Sequence, residues 1–263
     1  MLIRDDLVNL CERDLLRAFR LPPYLAPLAK IPAVRFARVV REFDQCVGER
    51  GLEAAGHFIL QRFTGSVKVS ADAAIPAAGP LIVTANHPGM TDAMAIWTSI
   101  PRNDLRIIAA PRDLLGLLPN ISEFLILIEP NSTRAIRAAK AHLQNGGCLL
   151  TFPAGCIEPD VDVRPGAADS IRTWSESPVT LARQVPGTQI VPVLVRGVIS
   201  AAATTAPFLR YLRQQKDRDW AAATLQILLP RYRRVNVTVN FGQAVCPTQL
   251  AIASEMRRLI AGN

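Results

Sequence analysis

The chain has 263 residues, of which 49% are hydrophobic and 20% charged, and this composition predicts a stably folded protein with a substantial core. Thirty Lys and Arg against 22 Asp and Glu leave a net charge of +8, which favours nucleic acid, an anionic membrane surface or a phosphorylated substrate as partner. Five scattered cysteines without a Cys-x-x-Cys pair predict reduced thiols in the cytoplasm and exclude a zinc ribbon. The charged N-terminus is unlike a secretory signal, and no uncharged stretch reaches the ~18 to 20 residues that span a bilayer.

Two helical patterns open the chain. Apolar residues recur at helical spacing through residues 2–20, and after a proline-rich break a second pattern runs from about residue 33 to residue 60. The segment of residues 21–40 mixes apolar side chains with Lys30 and arginines, a composition that suits an anionic membrane interface. Two interpretations stay open for residues 1–64: a membrane-interface segment, or a helix pair packed on the body of the protein.

From residue 65 onward, short apolar runs alternate with helices. This alternation predicts an α/β domain over residues 65–263, with a mostly parallel central sheet of about seven strands flanked by helices. Helices are predicted over residues 132–145 and 247–260. Clean alternation in the last strand predicts one polar or solvated face, as at a sheet edge. The seven predicted strands are residues 66–70, 81–85, 105–109, 125–128, 148–152, 190–195 and 235–241.

The strand at residues 81–85 breaks sharply at Pro88 and Gly89 and delivers His87 and Asp92 into one turn. Asp92 stands where a helix begins, and the positive end of that helix keeps the carboxylate ionised. If the turn folds back, Asp92 accepts a hydrogen bond from one ring nitrogen of His87 and leaves the other nitrogen as a general base. A surface histidine beside a helix-capping aspartate is the simpler interpretation, and these residues alone leave both open.

Three predicted strands are followed by loops that combine proline or glycine with polar, charged or thiol side chains. Residues 86–89 follow one strand, residues 153–156 follow another, and residues 111–113 follow a third. Since the carboxyl ends of parallel strands gather at one edge of a doubly wound sheet, these loops are predicted to line a single cleft. Arg112 would hold an anionic substrate there by bidentate contact.

Three segments, in this order, resemble the motifs of the glycerolipid acyltransferases, typified by lysophosphatidic acid acyltransferase. Residues 86–92 match the family's Asn-His followed by four residues and Asp. Residues 152–155 read Phe-Pro-Ala-Gly where the family has Phe-Pro-Glu-Gly, and residues 190–193 match an apolar strand with a central proline. The resemblance covers roughly residues 65–245 and implies the family's fold.

The resemblance implies an O-acyltransferase of phospholipid biosynthesis. His87 would remove the proton from the hydroxyl of a lysophospholipid-type acceptor as it attacks the thioester of acyl-CoA or acyl-carrier protein, and Asp92 would stabilise the imidazolium. Asn86, Pro153 and Gly155 would be substrate-binding positions, with backbone N–H groups near Gly155 as candidates to hold the oxyanion. Neither a metal nor a resident cofactor is expected, and the protein is expected to lie as a peripheral protein on the cytoplasmic, inner face of the membrane.

Two departures from the family pattern leave the acceptor open. Ala154 stands in place of the family's glutamate, and no arginine aligns with the end of its second motif, where residues 129–131 read Glu-Pro-Asn. Arg112, Arg134 and Arg164 could replace the lost contacts to an acceptor phosphate. The alternatives are an acyltransferase with a different acceptor, and a non-catalytic relative that binds lipid or acyl groups.

Several other side chains have a simpler interpretation. Cys156 is expected to be a packed thiol, and Trp220 is expected to pack in the core. No aromatic-basic RNA motif or zinc-finger spacing is present, so nucleic acid is not expected as a partner. His57 and His142 fall in helical patterns with no ligand cluster at His87, which disfavours a metal-dependent phosphoesterase.

Overall fold

The central sheet has seven strands, and each lies within one residue of its predicted bounds in the computed structural model. The structure describes residues 5–129, 133–164 and 166–262. The predicted α/β class, with helices on both faces of the sheet, is confirmed. The strands are β1 (Ser66–Ala71), β2 (Leu81–Ala85), β3 (Leu105–Ala109), β4 (Leu125–Leu127), β5 (Cys148–Thr151), β6 (Gln189–Arg196) and β7 (Asn236–Phe241).

Five of the strands run in one direction and two in the other. The spatial order is β1-β7-β6-β2-β5-β3-β4, and β6–β7 is the antiparallel junction. The prediction that β7 lies at an edge is therefore wrong, because β7 lies between β1 and β6. Its polar residues Asn236 and Asn240 instead accept hydrogen bonds from Ser66 (2.8 Å) and Ser70 (2.7 Å) of the edge strand β1.

Pro192 interrupts β6, an interior strand in which proline is unusual because it has no N–H for the ladder. The β6–β7 ladder runs as far as the pair Val193 and Phe241, and the N–H of Gly242 then donates to the Pro192 carbonyl (2.8 Å). The N–H and C=O of a strand residue point towards the same neighbouring strand. The N–H that Pro192 lacks would therefore face β7, as its carbonyl does. The proline is tolerated because the regular ladder is interrupted there by a one-residue shift in register, beyond which Val245 donates to the Ile190 carbonyl (2.9 Å).

Helices cover both faces of the sheet, and alternate residues of the buried strands point into two cores. Leu81 and Val83 of β2 pack with the N-terminal helices, whereas Ile82 packs with helices from the second half of the chain. Covering on both faces explains why all five residues of β2 are buried and four of them are apolar. The helices are α1 (Asp5–Ala18), α2 (Ala26–Phe63), α3 (Asp92–Trp97), α4 (Pro119–Ser122), α5 (Arg134–Gln144), α6 (Ser177–Gln184), α7 (Ala201–Thr204), α8 (Gln215–Leu228) and α9 (Gln249–Ala261).

The predicted N-terminal helix pair is α1 and α2. Leu7 and Leu15 of α1 and Phe43 of α2 belong to the same core as the strands, so both helices pack on the body of the protein through their buried faces. α2 begins several residues before the predicted position and kinks at Gly51, whose φ of 82° lies in a region that glycine adopts readily. In the described part of the chain, no helix combines the length and the apolar character needed to cross a bilayer.

α1 lies along the edge of the sheet at which the five parallel strands end. Arg13 forms an ion pair (2.6 Å) with Asp113 in the loop after β3. At the other end of α1, the hydroxyl of Tyr211, which follows β6 in the chain, donates to the carbonyl of Phe19. α1 thus joins loops that belong to two different strands of the sheet.

The two helices predicted near residues 132–145 and 247–260 correspond to α5 and α9. The first residue of the former prediction, Ser132, lies outside the described residues, as does part of the segment at residues 129–131. Trp220 of α8 was expected in the core, but half of its surface is exposed, and the core prediction is wrong.

Candidate active site

The loops that follow β2 and β5 meet at the carboxyl edge of the sheet, as the sequence predicts, and the loop after β6 lies against them. The ring of His87, after β2, lies against the ring of Phe152, after β5, with 4.5 Å between the centroids. Gly89 approaches the loop after β6 so closely that a Cβ atom there would lie 2.8 Å from Val198 Cγ1 and 3.1 Å from Ile199 Cδ1. Only glycine fits this position without displacing the neighbouring loop.

The expected hydrogen bond between His87 and Asp92 is present, with 2.8 Å between Nδ1 and Oδ2. Asp92 is fully buried, and its carboxylate also accepts the backbone N–H groups of Gly89 (2.9 Å) and Ala93 (2.6 Å). Since an ionised carboxylate only accepts hydrogen bonds, Nδ1 of His87 is the protonated ring nitrogen and Nε2 carries the lone pair. The turn therefore fixes both the tautomer and the orientation of the imidazole.

The imidazole is held on one side and remains accessible. Phe152 packs against it at an interplanar angle of 32°, and 27% of the His87 side chain is exposed while Asp92 is 0% exposed. A base that is partly open to solvent and backed by a buried carboxylate is the arrangement that general-base catalysis requires. The simpler interpretation, a surface histidine beside a helix cap, does not account for a buried carboxylate bonded to the ring.

The pKa of His87 lies above its ordinary value. Burial has the largest single influence and lowers this pKa, but the charge and hydrogen bond of Asp92 and the charge of Glu158 together outweigh it. Arg112 opposes the rise, so its positive charge lies close enough to act on the imidazole.

The sequence analysis missed two buried carboxylates in the loop after β5. Glu158 accepts hydrogen bonds from the backbone N–H of His87 (2.9 Å) and from Ser170 Oγ (2.7 Å) and Trp174 Nε1 (2.8 Å). Asp160 accepts the backbone N–H groups of residues 197–199, in the loop after β6, at 2.6 to 3.1 Å. Their only sequence signal is two carboxylates next to a proline just after residues 152–155.

Asn86 was predicted to contact substrate, but its side chain bonds to the backbone of β6. Its Nδ2 donates to the Val195 carbonyl (2.7 Å), and its Oδ1 accepts the Val195 N–H (2.8 Å). Asn86 is 5% exposed, so both ends of its amide are committed to β6. The amide holds the start of the turn against the neighbouring strand.

The residues after β5 also correct the prediction. Pro153 is buried, and its carbonyl accepts the N–H of Ser175 (2.9 Å). The N–H of Gly155 donates to the Phe152 carbonyl (3.0 Å) within a tight turn, so this N–H is already paired, and the expectation that backbone N–H groups near Gly155 hold the oxyanion stays a prediction. Cys156 was expected to be packed, but its side chain is exposed beside this turn.

The three predicted arginines are not brought together. Arg164 forms an ion pair with Asp219 of α8, and it is absent from the charges that act on His87. Arg134 is exposed at the start of α5, after the edge strand β4, which is three strand spacings or ~14 Å from β2. Of the three, Arg112 is the one whose charge acts on His87.

Fold and site together define an α/β protein with a His–Asp dyad at the carboxyl edge of its parallel strands. No family model matches the chain, and no curated protein matches it. Among solved structures, the chain is similar to the 1-acyl-sn-glycerophosphate (LPA) acyltransferase PlsC from Thermotoga maritima. The two are 18% identical, the alignment covers 99% of this chain and 95% of that one, and the TM-score is 0.47.

Proposed function

We propose that this protein is an acyltransferase of lipid synthesis that moves a fatty acyl group from a thioester, acyl-CoA or acyl-carrier protein, to a lipid hydroxyl. The observation that carries the proposal is the buried hydrogen bond of Asp92 to a partly exposed His87, within residues that match the Asn-His-x4-Asp motif. The matches at residues 152–155 and 190–193 support the same reaction.

The chemistry follows from the dyad. Nε2 of His87 takes the hydroxyl proton of the acceptor as its oxygen attacks the thioester carbon, and Asp92 stabilises the resulting imidazolium. When the tetrahedral intermediate collapses, the carbon–sulfur bond breaks and the imidazolium returns the proton to the departing thiolate. The products are an ester and a free thiol, and no covalent acyl-enzyme is needed.

We propose a lysophospholipid-type acceptor, because the motif matches at residues 86–92, 152–155 and 190–193 imply one and Arg112 is a cation that acts on His87. Arg112 acts electrostatically on His87, whereas Arg164 is paired with Asp219. Ala154, at the position of the family's glutamate, has no carboxylate to contact the acceptor. A phosphate on the acceptor would therefore depend on Arg112 for its main cationic contact. An acceptor without a phosphate is the alternative.

We further propose that the protein docks as a peripheral protein on the anionic cytoplasmic face of the membrane, through the corner between α1 and α2. Tyr24, Leu28 and Ile31 are 79%, 74% and 64% exposed there. Tyr211 and Trp220 are 52% and 50% exposed. Tyr211 bonds to Phe19 at this corner, and the Arg20–Asp217 ion pair connects the same corner to α8, the helix that carries Trp220. Exposed aromatic and aliphatic side chains among basic residues are typical of interfacial binding.

Acyl transfer from labelled acyl-CoA and acyl-carrier protein to a panel of lysolipids tests the enzyme proposal. His87→Ala should lower kcat/KM by about 10²- to 10⁴-fold, the usual contribution of a general base. His57→Ala is the matched control, because His57 is exposed on α2, and it should retain wild-type activity. A fully active His87→Ala would contradict the mechanism, and a wild type that uses no donor would favour the non-catalytic binding relative.

A further inference from the structure

The loop after β5 is joined to the catalytic turn by two hydrogen bonds between the same two residues. The backbone N–H of His87 donates to Oε2 of Glu158 (2.9 Å), and the backbone N–H of Glu158 donates to the carbonyl of His87 (2.8 Å). These bonds fix the position of the His87 main chain relative to β5. The Asp92 bond to Nδ1 fixes the ring alone.

The Glu158 carboxylate is 4% exposed. Its second oxygen, Oε1, accepts from Ser170 Oγ and Trp174 Nε1 at 2.7 and 2.8 Å. All three of its donors are neutral groups, so none of them cancels its charge. A buried carboxylate held in this way is costly unless its hydrogen bonds are satisfied, and here they are.

We propose that Glu158 is a positioning residue of the dyad: a second carboxylate that holds the main chain of His87 while Asp92 holds its ring. The inference extends the function proposed above, since it assigns a role at the same site. It also predicts an electrostatic contribution, because the charges that face His87 are Asp92 from α3, Glu158 from the loop after β5 and Arg112 from the loop after β3.

The sign of that contribution is fixed. Glu158 and Asp92 raise the pKa of His87, whereas Arg112 and burial lower it. A general base works in its neutral form, so the acid limb of kcat/KM against pH follows the pKa of His87. Removing the charge of Glu158 lowers this pKa and moves the limb to lower pH.

The test compares Glu158→Gln with Asp160→Asn. Asp160 is a matched control: it lies two residues away, is also buried, and accepts backbone N–H groups, but those belong to residues 197–199 instead of His87. Glu158→Gln should lower kcat and shift the acid limb to lower pH, because it removes a charge that raises the pKa of His87. Asp160→Asn should leave the limb unmoved even if it lowers stability.

Titration of the His87 imidazole by NMR in histidine-labelled protein measures the same shift without any turnover. A wild type without acyl transfer would refute the proposed function, yet this titration would still test Glu158. An unmoved His87 titration in folded Glu158→Gln would overturn the inference, as would an equal shift in Asp160→Asn.

A second variant covers failure of Glu158→Gln to fold. Glu158→Asp keeps the charge but shortens its reach to the His87 N–H. It should keep the acid limb near that of the wild type while kcat falls. A wild-type kcat in this variant would contradict the positioning role.

Discussion

At the scale of single residues, the protein places carboxylates in its interior and satisfies them with N–H donors instead of cations. Asp44 accepts the N–H groups of residues 120 and 121 at the start of α4. Asp92, Glu158 and Asp160 do the same around the dyad. Charge-assisted bonds of this kind are stronger than neutral ones and are direction-specific, so they hold loops in one arrangement.

Asp92→Asn tests the ring partner of His87. The neutral amide cannot accept from Nδ1 and from two backbone N–H groups as the carboxylate does, and it no longer stabilises the imidazolium. We expect kcat/KM to fall by roughly 10²- to 10⁴-fold. The acid limb should also move to lower pH, because Asp92 raises the pKa of His87.

Initial rates across neutral pH measure both effects. Asp169→Asn is the control, since Asp169 is 70% exposed and pairs only with the neighbouring Arg172. An Asp92→Asn enzyme with an unchanged pH profile would contradict the assigned role of the dyad.

Cys156→Ala distinguishes direct transfer from a covalent route. The exposed thiol of Cys156 lies beside Gly155 and is the nearest candidate nucleophile in the loop after β5. In the direct mechanism it has no chemical part, so activity should stay within about twofold of the wild type, or ~0.4 kcal/mol in the barrier. Complete loss of turnover in a variant with a native circular dichroism spectrum would point to an acyl-enzyme instead.

At the scale of elements, one guanidinium joins the loops at the opposite edge of the sheet. Arg102 donates to both carboxylate oxygens of Asp104, at 2.8 and 2.6 Å. It also donates to the carbonyls of Pro76, Gly79 and Gly146. Arg102 is 8% exposed, so its guanidinium is buried, whereas the Asp104 side chain is 43% exposed.

Arg102→Ala should therefore destabilise the fold by roughly 3 kcal/mol, since it leaves three carbonyls and one carboxylate without their partner. Urea unfolding followed by circular dichroism gives the difference. Arg172→Ala, at a side chain that is 73% exposed, should change stability by less than about 0.5 kcal/mol. Equal effects in the two variants would contradict the role of Arg102.

Most elements of this fold could be predicted because local pattern and burial agree. β2 is buried throughout and almost entirely apolar since both its faces are covered, and α9 has a buried apolar stripe. β7 misled the prediction because the alternation that marks a solvated edge also arises when an inner strand pairs its asparagines with Ser66 and Ser70. Alternation reports which faces are polar, but it does not report which strand covers them.

The dyad could also be predicted, because its partners are five residues apart and form their bond within one turn. Asn86, Glu158 and Asp160 act through contacts with residues 37 to 109 positions away, and no local pattern encodes such pairs. The ion pair that occupies Arg164 is of the same kind, since its partner Asp219 is 55 positions along the chain. Sequence alone identified Asn86 and Arg164 as candidates without their partners, and it did not single out Glu158 or Asp160.

At the scale of the whole molecule, the proposed membrane surface predicts where binding is lost. Replacing Tyr24, Leu28 and Ile31 together with serine removes three exposed apolar side chains, which should weaken partition to anionic vesicles by about tenfold or more. Leu250→Ser on α9 is the matched control, at 73% exposure. Flotation with vesicles compares them, and equal flotation of the triple variant and the wild type would refute this surface.

Trp220 offers a direct readout of the same surface. Trp97 and Trp174 are 6% and 5% exposed, so a change in the environment of the half-exposed Trp220 should dominate any change in fluorescence. Anionic vesicles should shift the emission to shorter wavelength, and Trp220→Phe should abolish that shift. Emission that stays unchanged with bound vesicles would place α8 away from the lipid.

His87 and Asp92 both lie in a single turn. The formation of their hydrogen bond is therefore separate from the admission of lipid to the site. The segment of seven residues that brings imidazole and carboxylate together is held by β6, through Asn86, and by Glu158 after β5, so fraying of α1 would leave the pair intact. Mild heating or dilute denaturant should then alter KM, through the loops that admit lipid, before it alters the ionisation of the imidazole. Inactivation of this protein would begin in the loops that admit lipid, before the His–Asp pair is lost.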